Sequence, residues 1–528
     1  MAASGEFVEH TTAMAVEEKA KLQKHFSRFD MLFFLICTLV GVDTLGQVSS
    51  YGAQGFTWLI FLGIFFFIPY ALLTAEIGSA FTEEGGPYVW TKLAWGRFLA
   101  CLNGVLYWIS NPIWMGGLLT ITAIETFSVF FTSLDNRVLF YGFGALFIWF
   151  GTVAAILSFG IGKWIPTIGA WSRMIMLGFF TLTTIIYAAK EGVHAPSFGD
   201  FKPTYALFIG LVPVLFFNYV GFELPSTAGD EMENPQRDVP FTVLRSAIAS
   251  ILLYGVPILA IIFVLPAAAL SGLGGFIDAM KTVFTVYGGN VTTASDGTLS
   301  VTLSGAGTVL GDLMALMFIW ALLSSGTTWI MGADRALAVA SFDGCGPRFL
   351  GTFSARFGTP VNVNLMSGIM STAVMVLAHE LSSGSSAKYF GAVLGVALLT
   401  TTMSYLLIYP ALIKLRYSHP HVHRPYTVPF GMAGVWIIGC LTTTWAALAT
   451  VAGVWPGFLT DSPSQGLMDA YSFSSRTQFE AIAFGSIAVI LAIGVLFYIL
   501  GTPTRRQLVD VPIQHDVDPG TAEATATA

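Results

Sequence analysis

Long apolar runs separated by short polar segments recur from Met31 to Leu500. A helix needs about 20 apolar residues to cross the hydrocarbon layer of a bilayer. The pattern predicts twelve spans, starting near Met31, Phe56, Phe98, Val138, Trp164, Tyr205, Phe241, Val309, Val363, Tyr389, Met432 and Phe479. The ninth is short and has a polar flank, Asn362-Val363-Asn364. Residues 1–30 and 501–528 read as polar tails. The first lacks the short apolar core and small-residue cleavage site of a signal peptide, so the first apolar run is expected to be a retained span. The second ends in EATATA, a low-complexity stretch with nothing to bury. Both tails are expected to be mobile.

Two spans depart from the pattern. The first reads LVGVDTLGQVSSYG, with Asp43, Thr44, Gln47, Ser49 and Ser50 inside it. The sixth reads FFNYVGFELPSTAGD, interrupted at Asn218, Gly221, Glu223 and Pro225. Unpaired backbone groups in hydrocarbon cost several kcal/mol each, so an unwound stretch has to be buried in protein or line a wet cavity. Breaks five spans apart are the sign of an inverted repeat, with spans one to five (residues 31–189) matching six to ten (residues 205–413). Residues 414–500 then hold two peripheral helices. A half-helix that starts after a break aims N–H groups and its positive dipole end at the cavity, and one that ends there offers carbonyls to a cation. Two such helices side by side can hold both ends of a zwitterion.

Composition sharpens this picture. Of 528 residues, 55% are apolar and only 10% charged, against about 25% charged in a soluble domain. A soluble enzyme, a disordered chain and a secreted disulfide scaffold are excluded. The net charge of −7 argues against a nucleic-acid partner. Cys37, Cys101, Cys345 and Cys440 lie in or beside apolar runs and imply no disulfide framework. With the N-terminus inside, seventeen of the 24 lysines and arginines fall on that side, six on the other, and Arg173 within a span. Cationic loops resist translocation, so both termini are expected to be cytoplasmic, in a multi-pass protein of the plasma (cell inner) membrane. In the longest outside loop, Asp296-Gly297 between β-branched runs predicts a hairpin.

The breaks and their flanks resemble the amino acid–polyamine–organocation superfamily of transporters. IPYALLTAEIGSAFTEEGGPYVWTKLAWGR is similar to that family's second helix and Gly-Gly-x-Tyr loop. NYVGFELPSTAGDEMENPQRDVP is similar to its Gly-x-Glu break and acidic-Asn-Pro stretch. ADRALAVASFDGCGPRFLGTFSARFGTPV is similar to its Arg-rich cytoplasmic loop. The resemblance runs from about Met31 to Pro429. It implies an all-α integral membrane fold of the leucine-transporter type, a 5+5 inverted repeat with helices 1 and 6 broken. It also implies alternating-access transport of amino acids or amines, with protons or an exchanged solute. By motif matching, Thr44, Leu45 and Gly46 fall at the family's small-residue break, their amides holding a substrate carboxylate together with Gln47. Phe217 falls at the aromatic gate, Gly221 at the second break and Glu223 at its acidic position. Carbonyls around Tyr219, Val220 and Gly221 would meet the amine, with Phe217 and Phe222 closing over it.

Three charged groups inside the membrane carry the remaining chemistry. Asp43 is expected to bind a substrate amine or carry the coupling proton, since an intramembrane carboxylate is functional by default; the bland alternative is a local cap on unwound backbone. Glu223 is expected either to couple protonation to gating or to pin the unwound segment. Arg173, ten residues into span five, is too deep to snorkel; in proton-coupled relatives a basic residue on this helix stands in for sodium, and transport without sodium is expected. Glu76 and Glu125 read as structural, and Asp312, Asp334 and Arg335 as paired or facing the cytoplasmic vestibule. His419, His421 and His423 read as a basic lipid-facing loop rather than a metal site. No catalytic set, metal site, phosphate loop or cofactor motif is present. The expected function is secondary transport of an amino acid, with two alternatives. One is an amine or polyamine transporter with Asp43 as counter-ion, and the other is a non-transporting sensor.

Overall fold

The computed structural model describes residues 8–157, 162–193, 196–264, 275–293, 299–382, 386–463, 467–468, 473 and 475–512. A helix begins within six residues of each of the twelve expected starts. The chain opens with β1 (Val8–Thr12) and α1 (Ala13–Lys19), then α2 (Arg28–Leu39), α3 (Leu45–Ser50) and α4 (Gly52–Ala80). Next come α5 (Pro87–Trp95), α6 (Arg97–Phe130), α7 (Arg137–Ile156), α8 (Trp164–Glu191) and α9 (Tyr205–Asn218). Beyond a short 3-10 stretch (Leu224–Glu231) lie α10 (Pro235–Val264) and α11 (Gly275–Phe284). The hairpin β2 (Gly289–Thr293) and β3 (Leu299–Leu303) precedes α12 (Ala306–Cys345), α13 (Val361–Leu381) and α14 (Ser386–Ile408). The chain closes with α15 (Ala411–Ser418), α16 (Gly431–Val454), α17 (Arg476–Leu500) and β4 (Leu508–Pro512).

Among the described residues, ten helices are long and apolar enough to cross a membrane. The two expected spans that fall short are the two with polar interruptions: α2 stops at Leu39 and α9 at Asn218. The ninth expected span, despite its polar flank, is a full 21-residue helix. Outward faces are apolar, with Val138, Leu146, Ile248 and Ile437 each more than 60% exposed, as lipid demands and water would not tolerate. The hairpin pairs as expected, while its Asp296-Gly297 turn lies outside the described residues.

Helix ends follow local chemistry. Ser27 starts α2 with a capping box, its hydroxyl bonding Asp30 at 2.7 Å while Asp30 accepts the Ser27 N–H at 3.1 Å. At the second break, Gly221 has φ 129°, and a Cβ there would lie 2.6 Å from Thr38 and 2.9 Å from Trp329, so both conformation and space require glycine.

The described parts of the tails, residues 8–30 and 501–512, are packed rather than loose, while residues 1–7 and the low-complexity end 513–528 lie outside the described residues. β1 and β4 form an antiparallel pair, Thr12 opposite Leu508. Thr12 donates to the Phe342 carbonyl, and Glu18 accepts the Phe353 N–H at 2.8 Å. The backbone N–H groups of His25 and Phe26 then bond the Glu231 carbonyl at 3.0 Å. The N-terminal segment alone could not bury a core, but it finds backbone partners on the helix ends around it, a long-range pairing that composition does not encode.

The α3 segment is wedged against α11: a Cβ on Gly46 would sit 2.6 Å from the Phe276 nitrogen and 3.1 Å from Gly275. Gly46→Ala is therefore expected to cost about 1–3 kcal/mol through backbone displacement, read as a lower melting temperature of the purified protein.

Candidate functional site

The two unwound stretches lie together and line a small cavity. Its volume is about 30 Å³, room for one or two waters and too little for an amino acid. Asp43, Phe217, Asn218 and Val220 reach its wall from the breaks, Ser110, Asn111 and Trp114 from α6, and Tyr254, Trp329 and Thr401 from α10, α12 and α14. Asp43 is the only charged residue in that wall. Its Oδ2 accepts the Trp114 indole N–H at 2.8 Å. The Trp114 ring stands edge-on to Phe217 and Trp329, with centroids 5.8 and 6.2 Å away, so a carboxylate faces a ring of aromatic side chains. Thr44 donates to Asn218 Oδ1 at 2.5 Å across the two breaks, while Asn218 Nδ2 has no partner.

Of the residues singled out from sequence, the cavity wall brings together Asp43, Phe217 and Val220. Thr44 stands behind it through Asn218. Leu45, Gly46 and Gln47 lie outside the wall, Gly46 facing α11. So do Tyr219, Gly221 and Phe222: the Tyr219 hydroxyl bonds the Leu59 carbonyl at 2.9 Å, and Phe222 packs on Phe67 and Tyr70. The wall residues Trp114, Tyr254, Trp329 and Thr401 had no sequence signal, because an aromatic or threonine in an apolar helix reads as packing. The polar-aromatic run Asn103, Tyr107, Trp108 and Asn111 on α6, which suits a cavity wall or a packed helix interface, was the one available hint.

Glu223 occupies a separate, fully buried cluster. Its carboxylate accepts hydroxyls from Tyr70 on α4, Tyr107 on α6 (2.9 Å) and Tyr405 on α14 (2.6 Å). The Tyr70 oxygen in turn accepts the N–H groups of Gly221 and Phe222, both at 3.1 Å. Glu223 thus meets neutral donors from three helices, one of which also satisfies the amides freed by the break.

Arg173 performs the complementary task at the first break. Its Nε donates to the Val40 carbonyl at 2.9 Å, just past the end of α2. The other nitrogens reach the Gly169 carbonyl (2.8 Å), Ser324 (3.0 Å), the Ala321 carbonyl and Ser325. A guanidinium thus sits at the negative end of a helix dipole, among carbonyl and hydroxyl oxygens.

On the face carrying the termini, buried Arg335 bonds Glu84 at 3.1 Å, Glu231, and the Gly358 carbonyl at 3.2 Å. Lys19 reaches Glu83 and Asp230 at 3.5 and 3.8 Å. Asp343 is held by Lys92 (3.1 Å) and Arg97 (3.0 Å). Glu76, read as structural, accepts from Arg416 (2.6 Å) and from the Val428 N–H (2.8 Å). Asp334 and Arg335, expected to pair or face a vestibule, point to different partners. No group of three or more potential metal ligands occurs among the described residues.

The sequence profile of the amino acid permease family matches residues 26–468. A probable agmatine/putrescine antiporter of Lactococcus lactis is 25% identical over 411 residues, covering 77% of this chain and 83% of that protein. An uncharacterized transporter of Legionella pneumophila is 27% identical, covering 77% and 86%. A probable polyamine transporter of Arabidopsis thaliana is 28% identical, covering 80% and 78%.

Breaking a buried ion pair by removing one partner costs about 3–5 kcal/mol, because the other charge stays behind. Arg335→Ala is expected to lower the melting temperature accordingly. Adding Glu84→Gln and Glu231→Gln to it is expected to recover most of the loss.

Proposed function

This chain belongs to the amino acid permease family of membrane transporters, and we propose that it moves a small organic amine by alternating access, with Asp43 as the amine's counter-ion. The observation that carries this reading is the cavity between the two breaks. It has one carboxylate, no lysine, arginine or histidine, and a surround of Trp114, Trp329, Phe217 and Tyr254. A carboxylate fixes an ammonium or guanidinium by charge, and aromatic faces favour a desolvated cation. The agmatine/putrescine and polyamine relatives support the same ligand class. A second reading, a zwitterionic amino acid, is favoured by Asn218 Nδ2, a cavity-wall donor without a partner that suits a carboxylate oxygen.

In this reading the conformation seen here is closed. The ion pairs around Arg335 shut the cytoplasmic face, and the substrate enters when the aromatic side chains over Asp43 part. Twelve spans in a 5+5 inverted repeat, with both termini cytoplasmic in the plasma membrane, agree with breaks in the first and sixth helices and with the charge bias of the loops. Coupling runs through an exchanged amine or protons. Glu223, held by three tyrosine hydroxyls, can gain or lose a proton without breaking an ion pair, so its charge biases which gate opens. Arg173 supplies the positive charge that a sodium ion would bring to the first break, so transport needs no sodium.

Uptake of labelled putrescine or agmatine into proteoliposomes tests this. Unlabelled amines are expected to compete and to stimulate uptake when preloaded, in sodium-free buffer, while ornithine and arginine compete at least tenfold less well. A preference for the amino acids would overturn the amine reading in favour of the zwitterion. Asp43→Asn is expected to cut amine uptake tenfold or more, since a charged hydrogen-bonded contact contributes about 1.5–3 kcal/mol.

A further inference from the structure

One buried carboxylate has no part in the site above. Asp334 lies in α12 where that helix packs on α6 and α13, and it is fully shielded from solvent. Its Oδ1 accepts two hydrogen bonds, from Trp108 Nε1 at 3.1 Å and from the Ser367 hydroxyl at 2.6 Å. Its Oδ2 has no partner.

The surrounding charges are directed elsewhere. Arg335, next in sequence, bonds Glu84 and Glu231. On α5 and the start of α6, Lys92, Arg97 and Tyr88 hold Asp343. Tyr107 on α6 donates to Glu223. Arg173 on α8 meets α12 at Ala321, Ser324 and Ser325, well before Asp334 along the helix. On α7 and α13, Arg137, His379 and Glu380 cluster at the far ends of their helices. On the α13 face that carries Ser367, the polar neighbours are Asn364 and Ser371, both buried, with Asn364 Oδ1 and Ser371 Oγ unpartnered.

An ionised carboxylate in such a place carries an uncompensated charge and an orphaned oxygen, at a cost of several kcal/mol. A proton on Oδ2 removes the charge and leaves both bonds to Oδ1 intact, since an indole N–H and a hydroxyl donate to a neutral carbonyl oxygen as well as to a carboxylate. We propose that Asp334 is a proton-binding site of this protein, separate from the Asp43 cavity and the Glu223 cluster, and that it is occupied in the conformation seen here. The ligand is a proton rather than a metal ion: the partners of Oδ1 are donors, which a metal would displace.

Infrared difference spectroscopy of the full-length protein in lipid bilayers tests the proposal, comparing the native chain with Asp334→Asn at neutral pH. The expected result is loss of one protonated-carboxyl carbonyl band in the variant, a band that in the native chain disappears as pH is raised. Loss of carboxylate stretching intensity instead, with the protonated-carboxyl region unchanged, would overturn it. Should Asp334→Asn fail to fold, Ser367→Ala removes one hydrogen bond to Oδ1 and is expected to shift the same band in protein carrying ¹³C-labelled aspartate; an unshifted band overturns the assignment. The readout involves no transport, so its failure would leave the amine reading standing.

Discussion

The architecture depends on how the backbone groups freed by two broken helices are satisfied away from water. At the end of α2, carbonyls lose their helical partners, and four of them find a side-chain donor from another helix. Cys37 accepts from Ser325, Thr38 from Trp329, Val40 from Arg173 and Gly41 from Tyr254. At the second break the amides of Gly221 and Phe222 meet the Tyr70 oxygen, which itself donates to Glu223. Two unwound strands of backbone, each expensive in an apolar surround, therefore fix the positions of helices α4, α8, α10 and α12. The cavity is what remains between them.

The buried carboxylates divide by the kind of donor they meet. Glu76, Glu84, Glu231, Asp238 and Asp343 pair with arginine or lysine. These pairs cluster toward the face that carries the termini. Asp43, Glu223 and Asp334 take their side-chain hydrogen bonds from hydroxyl or indole donors. Neutral donors leave the charge of a carboxyl free to change, or to be met by a cation from outside. The first group ties structural elements together, and the second is open to a ligand or a proton.

The terminal strands join this ion-paired face. The β1–β4 pair, the docking of Glu18 on Phe353 and the bonds of His25 and Phe26 to Glu231 tie the N-terminal segment to the loops that Arg335 holds. One segment of chain, just before α2, is thereby bonded to the 3-10 stretch after the second break.

The positions of the helices, the two breaks and the membrane setting were legible in the sequence, because each follows from local composition. An apolar run of about 20 residues has few alternatives to a buried helix, and a polar or glycine-rich interruption inside one marks unwound backbone wherever the helix packs. Asp43, Glu223 and Arg173 stood out for the same reason, as charges where charge is costly. Their partners did not. Tyr70, Tyr107 and Tyr405 come from three helices spread over more than 300 positions, and Trp114, Trp329 and Tyr254 look like ordinary core residues until the helices are assembled. The sequence determined which groups need compensation; only the tertiary structure decided which neighbours provide it, because those contacts are set by helix packing between residues far apart in the chain.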